Sequence, residues 1–275
     1  MNICFIGGGN MASAMLGGLV KQGVPPRQLR VVEINADNRK RLEALGYPVF
    51  AEPGPDAIRG SDVIVLAVKP QQLRQVASQL DALVSGQIVL SIAAGIRLKD
   101  LMRWMSTGQG NTFVRAMPNT PALVGAGVTG LYCSLPLHLL PPVQRERIEK
   151  VIGSMGTFVW GGAEDDMDAI TAVSGSGPAY FFYFIEALEQ AGRELGLPQE
   201  TARKLAVETA LGAARLAHES AEAPATLRAR VTSKNGTTER ALLSMESNHV
   251  KQHIITAVKA AAARAKEMGD ELGNA

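Results

Sequence analysis

Phe5-Ile6-Gly7-Gly8-Gly9-Asn10-Met11-Ala12 is the stretch whose reading decides the fold. The apolar run Ile3 to Ile6 reads as a buried strand, and Met11 to Gln22 reads as a helix. Between them Gly7, Gly9 and Ala12 stand in the spacing G-x-G-x-x-A. Gly7 permits a tight turn, Gly9 lets backbone approach a pyrophosphate, and Ala12 allows close helix–strand packing. Ile6, Gly7, Gly8, Gly9, Asn10, Met11 and Ala12 are therefore the first candidate cofactor-binding residues, with a helix N-terminus facing the phosphate charge. The bare spacing is weak evidence, and a Gly-rich turn without a ligand is the alternative. Its position inside a strand–helix–strand unit makes it strong.

The alternation continues outward from that stretch. Leu29 to Ile34, Val63 to Val68, Ile88 to Ile92 and Thr112 to Ala116 read as strands, and Asn38 to Leu45, Gln71 to Leu83 and Leu98 to Trp104 as helices. Consecutive apolar positions mark strands buried on both faces. Strand–helix alternation implies right-handed crossovers and a parallel sheet. A further strand pair, Val128 to Cys133 and Thr157 to Trp160, flanks a helix from about Pro141 to Met155, whose Pro141-Pro142 suits a first turn.

After Trp160 only helices are expected, over Pro178 to Leu195, Gln199 to Glu219, Ala225 to Val231, Thr237 to Met245 and Lys251 to Leu272. The fold class is α/β. A doubly wound, Rossmann-like domain over residues 1–161 precedes an all-α domain over residues 162–275, with the boundary near Gly161-Gly162. The stretch Ala179 to Ile185 is apolar all round its helix and needs cover on every side. A second domain of roughly 110 residues has little volume for that alone, so a subunit interface is expected. The alternative is the central helix of a monomeric bundle.

Composition narrows the function classes. Hydrophobic residues at 46% and charged residues at 20% argue for a globular chain rather than a disordered one. The 28 basic and 26 acidic residues leave a net charge of +2 without a basic stripe, so no nucleic-acid partner is expected. The short run Arg39-Lys40-Arg41 reads first as a solvated helix face. Cys4 and Cys133 lie in apolar runs and read as core residues rather than a disulfide. No basic leader is visible and no apolar run approaches the ~20 residues of a membrane span, so a cytoplasmic protein without a membrane partner is expected. His249 and His253 stand four apart, but no neighbouring Cys or carboxylate completes a metal set, and none is expected. His138 and His218 read as surface.

The end of the second strand bears on the dinucleotide. Glu33 is the acid that would hold a ribose 2′-hydroxyl, as in NAD enzymes. Asn35, Arg39 and Lys40 just beyond it would suit a 2′-phosphate. These residues point in opposite directions, and both cofactors stay open on the residues alone.

Further segments carry a resemblance over nearly the whole chain. Ala67-Val68-Lys69-Pro70 and Ser91-Ile92-Ala93-Ala94-Gly95 end two strands, at the carboxyl edge where open sheets bind ligands. Arg115-Ala116-Met117-Pro118-Asn119-Thr120-Pro121 follows the fifth strand. Ala172-Val173-Ser174-Gly175-Ser176-Gly177-Pro178-Ala179 carries S-G-S-G-P-A, and Val231-Thr232-Ser233-Lys234-Asn235-Gly236-Thr237-Thr238 opens a helix. In this order the segments resemble the pyrroline-5-carboxylate reductases. The family's V-x-S-P-G-G-x-T loop has Lys234 in place of Pro and Asn235 in place of the first Gly. Asn tolerates positive φ, so the loop shape is expected to survive. Lys234 is expected to point to solvent, with assistance to a carboxylate as the alternative.

The resemblance implies an enzyme that reduces the cyclic imine 1-pyrroline-5-carboxylate to L-proline. Ala67, Val68, Lys69, Pro70, Ala93, Ala94 and Gly95 would line the cofactor, with a plain surface lysine as the alternative for Lys69. Asn119, Ser233, Gly236, Thr237 and Thr238 would bind substrate, with Thr238 approaching the ring nitrogen as the catalytic residue. The cofactor expected is NADP(H), with NAD(H) as the second candidate. The family's helical domains exchange across a homodimer, so that the substrate loop meets the partner's cofactor domain. For the S-G-S-G-P-A segment, helix breaking and tight packing are as good a reading as ligand contact.

Two other functions compete. A 3-hydroxyacid dehydrogenase of similar architecture would place a lysine on the long interdomain helix, and Pro178 to Leu188 contains none. A dinucleotide-sensing protein without turnover is disfavoured by Gly236 and Thr238 beside a complete Gly-rich loop.

Overall fold

The computed structural model describes residues 1–274. Its first half alternates strands and helices: β1 (Ile3–Ile6), α1 (Asn10–Lys21), β2 (Leu29–Val32), α2 (Ala36–Ala44), β3 (Val49–Phe50), α3 (Pro55–Ile58), β4 (Val63–Leu66), α4 (Pro70–Leu80), β5 (Ile88–Ser91), α5 (Leu98–Trp104) and β6 (Thr112–Met117). Then follow β7 (Gly127–Cys133), α6 (Pro142–Gly153), β8 (Gly156–Trp160) and α7 (Asp166–Ile170), which runs into a π-helical turn at Thr171–Gly175. The remaining helices are α8 (Gly177–Glu194), α9 (Gln199–Glu219), α10 (Pro224–Arg230), α11 (Thr237–Ser247) and α12 (Val250–Asn274).

The eight strands form one sheet in the order β3-β2-β1-β4-β5-β6-β7-β8. The order reverses between β1 and β4, which makes the cleft beyond their carboxyl ends the place for a ligand. Pairing is parallel except between β6 and β7, which run antiparallel. The parallel sheet expected of the alternating strands holds through β6, and the reversal at β7 has a physical reason. The link from Pro118 to Ala126 is too short for the dozen or more residues of a parallel crossover, and it folds as a 3-10 turn over Thr120–Val124.

Side chains alternate between two buried layers. Ile3, Phe5, Val63, Val65, Ile88 and Leu90 pack with Met15 and Leu19 of α1 and Ile148, Val151 and Ile152 of α6. Cys4, Ile6, Ile64, Leu66 and Val89 pack on the other face with Leu73, Ala77 and Leu80 of α4 and Leu101 of α5. Each fully buried aliphatic side chain here contributes about 1.5–3 kcal/mol, which holds the strand ends, and hence the cleft, in place.

The chain divides into two compact units, Met1–Ser176 with the chain from Ala261 onward, and Gly177–Ala260. This differs from a division at Gly161-Gly162. The sheet does end at Trp160, but α7 and the π-helical turn stay with it. A Cβ on Gly130 of β7 would overlap Ile170, and Met167 and Ala172 are fully buried. The later turns of α12 also pack with the sheet unit, through buried Ala265, Gly269 and Gly273. In the second unit α8 packs on α9, where Gly192 lies against Ala202. Phe181, Phe182 and Tyr183 of α8 are left 66, 64 and 76% exposed in the single chain, too much apolar surface for a solvated helix.

Candidate active site

The cleft at the reversal point has a volume of about 750 Å³ and is lined at its base by Ile6, Gly7, Gly8 and Gly9. Gly7 adopts φ +102°, and a Cβ there would stand 2.8 Å from the carbonyl oxygen of Ala67, so only glycine fits. Its amide donates to Val32 O at 2.8 Å and ties the turn to β2. Gly9 is different. Its φ is −68°, and a Cβ added to it meets open space within 4 Å among the described residues. Neither backbone strain nor packing requires glycine at this position. It lines the cleft as the N-cap of α1, so the requirement points to a group that approaches the backbone at a helix N-terminus, as a pyrophosphate would. Asn10 is exposed in the first turn, Met11 is half-buried and Ala12 is buried against the sheet.

Glu33 and Asn35 also line the cleft, and they divide the labour. The Glu33 carboxylate accepts from the Gly8 amide at 3.0 Å, from the Asn35 amide at 2.8 Å and from Asn38 Nδ2 at 2.8 Å. It braces the glycine turn from within. Asn35 caps α2 by accepting from the Asn38 amide at 2.9 Å. Arg39 Nη1 donates to the carbonyls of Glu33 and Ile34 at 3.0 and 2.8 Å, which holds its guanidinium at the end of β2. Arg41 donates to Asn38 Oδ1 and Ser13 Oγ, so it belongs to the same network rather than to a free surface stripe.

The wall opposite comes from the β4–α4 turn. Ala67, Val68 and Lys69 line the cleft, and Pro70 occupies the first turn of α4. Gln72, Gln75 and Gln79 continue the lining along one face of α4. They were not anticipated, although their spacing of three and four on a helix was a readable signal. Ala93, Ala94 and Gly95 follow β5 but do not line this cleft. Ala93 and Gly95 are buried, and Gly95 lies beneath Met268 and Leu272 of α12.

The β6–β7 segment is turned inward. Arg115, with a side chain only 4% exposed, lies 3.4 Å from Glu164 and 3.6 Å from Asp168. Glu164 also accepts from the Leu98 amide at 2.6 Å, so the same carboxylate caps α5. Asn119 is buried and uses both ends of its amide internally. Nδ2 donates to Ser174 O at 3.1 Å, and Oδ1 accepts from the Val128 amide at 3.0 Å. A Cβ at Gly175 would stand 2.5 Å from Met117 Cε. The S-G-S-G stretch is thus packed as a π-helical turn against the β6 end, and π turns of this kind recur at functional sites.

The second unit carries the other candidate residues. Gly236 donates to Ser233 O at 3.0 Å, closing a turn, and Asn235 adopts φ +60°. Asparagine therefore supplies the left-handed residue that glycine would otherwise provide. The Asn235 amide donates to Glu239 Oε2 at 2.7 Å. A Cβ on Gly236 would overlap the Ser233 hydroxyl. Ser233, Lys234 and Thr237 are exposed and Thr238 is half-buried. No side chain caps α11, whose N-cap is Gly236, so Thr238 does not serve as its cap. A left-handed residue followed by free helix amides forms a concave donor set suited to a carboxylate.

Two family models match the chain. One for NADP oxidoreductases, coenzyme F420-dependent, covers residues 2–95, and one for pyrroline-5-carboxylate reductase dimerisation covers residues 164–268. The pyrroline-5-carboxylate reductase of Pseudomonas aeruginosa is 43% identical over 272 residues, covering 98% of each chain. The structure of a pyrroline-5-carboxylate reductase from Coxiella burnetii superposes with a TM-score of 0.90 at 38% identity, over 97% of this chain and 98% of that one. That of Plasmodium falciparum pyrroline carboxylate reductase with NADP bound gives 0.84 at 29% identity, over 98% of each. The likeness runs through both units and nearly every residue, and on it the chain belongs to the pyrroline-5-carboxylate reductase family.

Proposed function

We propose that the chain reduces 1-pyrroline-5-carboxylate to L-proline, the last step of proline biosynthesis, with NADP(H) preferred and NAD(H) accepted. When bound, the reduced nicotinamide supplies a hydride to the imine carbon, and the ring nitrogen ends with the proton. Gly9 carries the reading, because a glycine that the free protein does not need stands at a helix N-terminus in the cleft. The names of the relatives support the substrate. NADP(H) preference is supported by Glu33, whose carboxylate is already engaged by three donors, while Asn35 and Arg39 at the end of β2 would be left to meet a 2′-phosphate.

Ser233, Gly236 and Thr237 would receive the substrate carboxylate through the α11 amides. Thr238 would orient the ring nitrogen through its hydroxyl. A protonated imine is electrophilic already, so positioning by a hydroxyl suffices and no strong acid is required. Asn119 would act one step back, by holding the β6 end and the π-helical turn together. A homodimer would cover Phe181, Phe182 and Tyr183 and bring each substrate loop to the partner's cofactor unit. The protein would work in the cytoplasm, which the buried free thiols of Cys4 and Cys133 suit.

The test is oxidation of NADPH, and separately of NADH, in the presence of the cyclic imine. Turnover faster with NADPH is expected. Binding of either dinucleotide without turnover would replace this reading with that of a dinucleotide sensor.

A further inference from the structure

We propose that the later turns of α12 are a positioning element for the Ala93–Gly95 turn, and through it for the nicotinamide half of the cofactor. The inference rests on the proposed function and on the expectation that Ala93, Ala94 and Gly95 line the cofactor's nicotinamide half. Ser91 pairs with Leu66, so the turn after β5 follows the strand next to the one that leads into the Ala67–Lys69 wall. The structural basis of the inference is independent of that function. Gly95 has φ +73°, and a Cβ there would lie 3.0 Å from Leu272 Cδ1 and 3.4 Å from Met268 Cβ. The helix thus sits directly on the backbone of the turn.

The approach is close because each glycine receives a side chain from across the contact. On α12 the small residues Ala265, Gly269 and Gly273 recur every fourth position and are buried. Arg97, two residues beyond Gly95, lies over Gly269, where a Cβ would stand 3.0 Å from its Nε. Gly273 faces Asp100 so closely that a Cβ would overlap the carboxylate. A side chain at Gly269 would press on the Arg97 guanidinium, and one at Gly273 on the Asp100 carboxylate, so a bulky residue at either position would disturb the contact between α12 and the turn.

Polar clamps fix the register. Arg97 Nη1 pairs with Asp270 Oδ1 at 2.6 Å, and its Nη2 donates to Lys266 O at 3.3 Å. Arg103 Nη2 donates to Gly273 O at 2.6 Å and pairs with Asp100 Oδ1 at 3.1 Å. Arg103 thereby satisfies a carbonyl near the end of α12 and offsets the buried carboxylate beside it. Arg264 bonds both oxygens of Glu271 at 2.7 and 3.0 Å, which supports the helix over these turns. None of these residues lines the cleft described above, so their effect on the cofactor would pass through the turn.

The experiment compares two probes, NADPH and 2′,5′-ADP, titrated into wild type, Gly269→Leu, and a variant truncated after Glu267. The fragment reports the adenosine end alone. In both variants NADPH affinity should fall about tenfold, while 2′,5′-ADP affinity stays within about twofold of wild type. The KM for NADPH should rise with it. Arg97→Glu should weaken NADPH binding in the same selective way, and Arg97→Glu with Asp270→Arg should restore it, which general destabilisation would not do. Equal loss of both probes, or no change in either, overturns the proposal, and the Arg97 pair decides it if the truncation fails to fold. Wild type that binds neither probe would overturn the proposed function itself, and this inference with it.

Discussion

The Glu33 carboxylate accepts a hydrogen bond from the Gly8 amide at 3.0 Å, so the end of β2 holds the glycine turn from behind. Its other oxygen accepts from the Asn35 amide at 2.8 Å. Glu33→Ala should therefore loosen the turn itself. Hydrogen bonds to a charged group contribute about 1.5–3 kcal/mol each, and losing one from the turn should cost about tenfold or more in dinucleotide affinity. NADPH and NADH should lose alike, because the effect precedes any contact with the ribose. If NADH binding alone collapses, Glu33 is a ribose ligand and the bracing account is wrong.

Gly7 and Gly9 should respond in opposite ways to the same change. Gly7→Ala forces a side chain into the Ala67 carbonyl at positive φ, and should cost several kcal/mol and depress the melting temperature. Gly9→Val meets open space in the free protein and should melt close to wild type. Its side chain would fill the path of the pyrophosphate, so NADPH titration should show little binding. Unchanged affinity in Gly9→Val would make the glycine turn a structural feature only.

The strands and the cofactor turn were legible because they are local. Apolar runs and glycine spacing survive without knowledge of the rest of the chain, and β1 and α5 lie where the pattern puts them. What was not legible is made by distant partners. β3 has two residues and is held by main-chain bonds from Val31 to Pro48 and from Glu33 to Phe50, both at 2.9 Å. The π-helical turn reads as a glycine-rich loop until Met117, Asn119 and Gly130 close around it. Asn119 looks like a ligand residue in sequence, since nothing local shows that Ser174 O and the Val128 amide take both ends of its side chain.

Asn119→Ala should accordingly act on stability before chemistry. It leaves the half-buried Ser174 carbonyl and Val128 amide without their Asn119 partner, at about 1–3 kcal/mol together. A clear fall in denaturation midpoint is expected, with catalysis impaired because the β6 end and the S-G-S-G turn separate. Full stability with lost turnover would restore Asn119 to direct contact with substrate.

The two cysteines should be inert in the folded protein. Burial pushes the Cys4 thiol up to about 12, against a weaker opposing pull from Arg30. Burial also raises Cys133, opposed by the Leu135 amide and Ser134. The thiolate is the reactive form, so at about pH 8 a thiol reagent should label neither until denaturant is added. Prompt labelling of the native protein would mean that the strands around Cys4 and Cys133 open far more readily than the buried layers imply.

Thr238 opens α11 without capping it, since Gly236 is the N-cap and the Glu239 carboxylate takes the Asn235 amide. A threonine at a helix start is ordinarily explained by capping, and its loss would then cost about 1 kcal/mol of stability. That explanation is weak here. Thr238 is half-buried in the first turn of α11, which follows a left-handed Asn235. If it orients the imine nitrogen, Thr238→Ala loses a hydrogen bond to a charged group, worth roughly 1.5–3 kcal/mol, or about ten- to a hundredfold in rate. Thr238→Ser keeps the hydroxyl and should stay largely active. Both variants should melt close to wild type, because no cap is removed. Turnover of the cyclic imine and thermal denaturation, measured on the same preparations, separate the accounts. An alanine variant that turns over normally but melts early would return Thr238 to a structural role and leave the nitrogen to be positioned by another group.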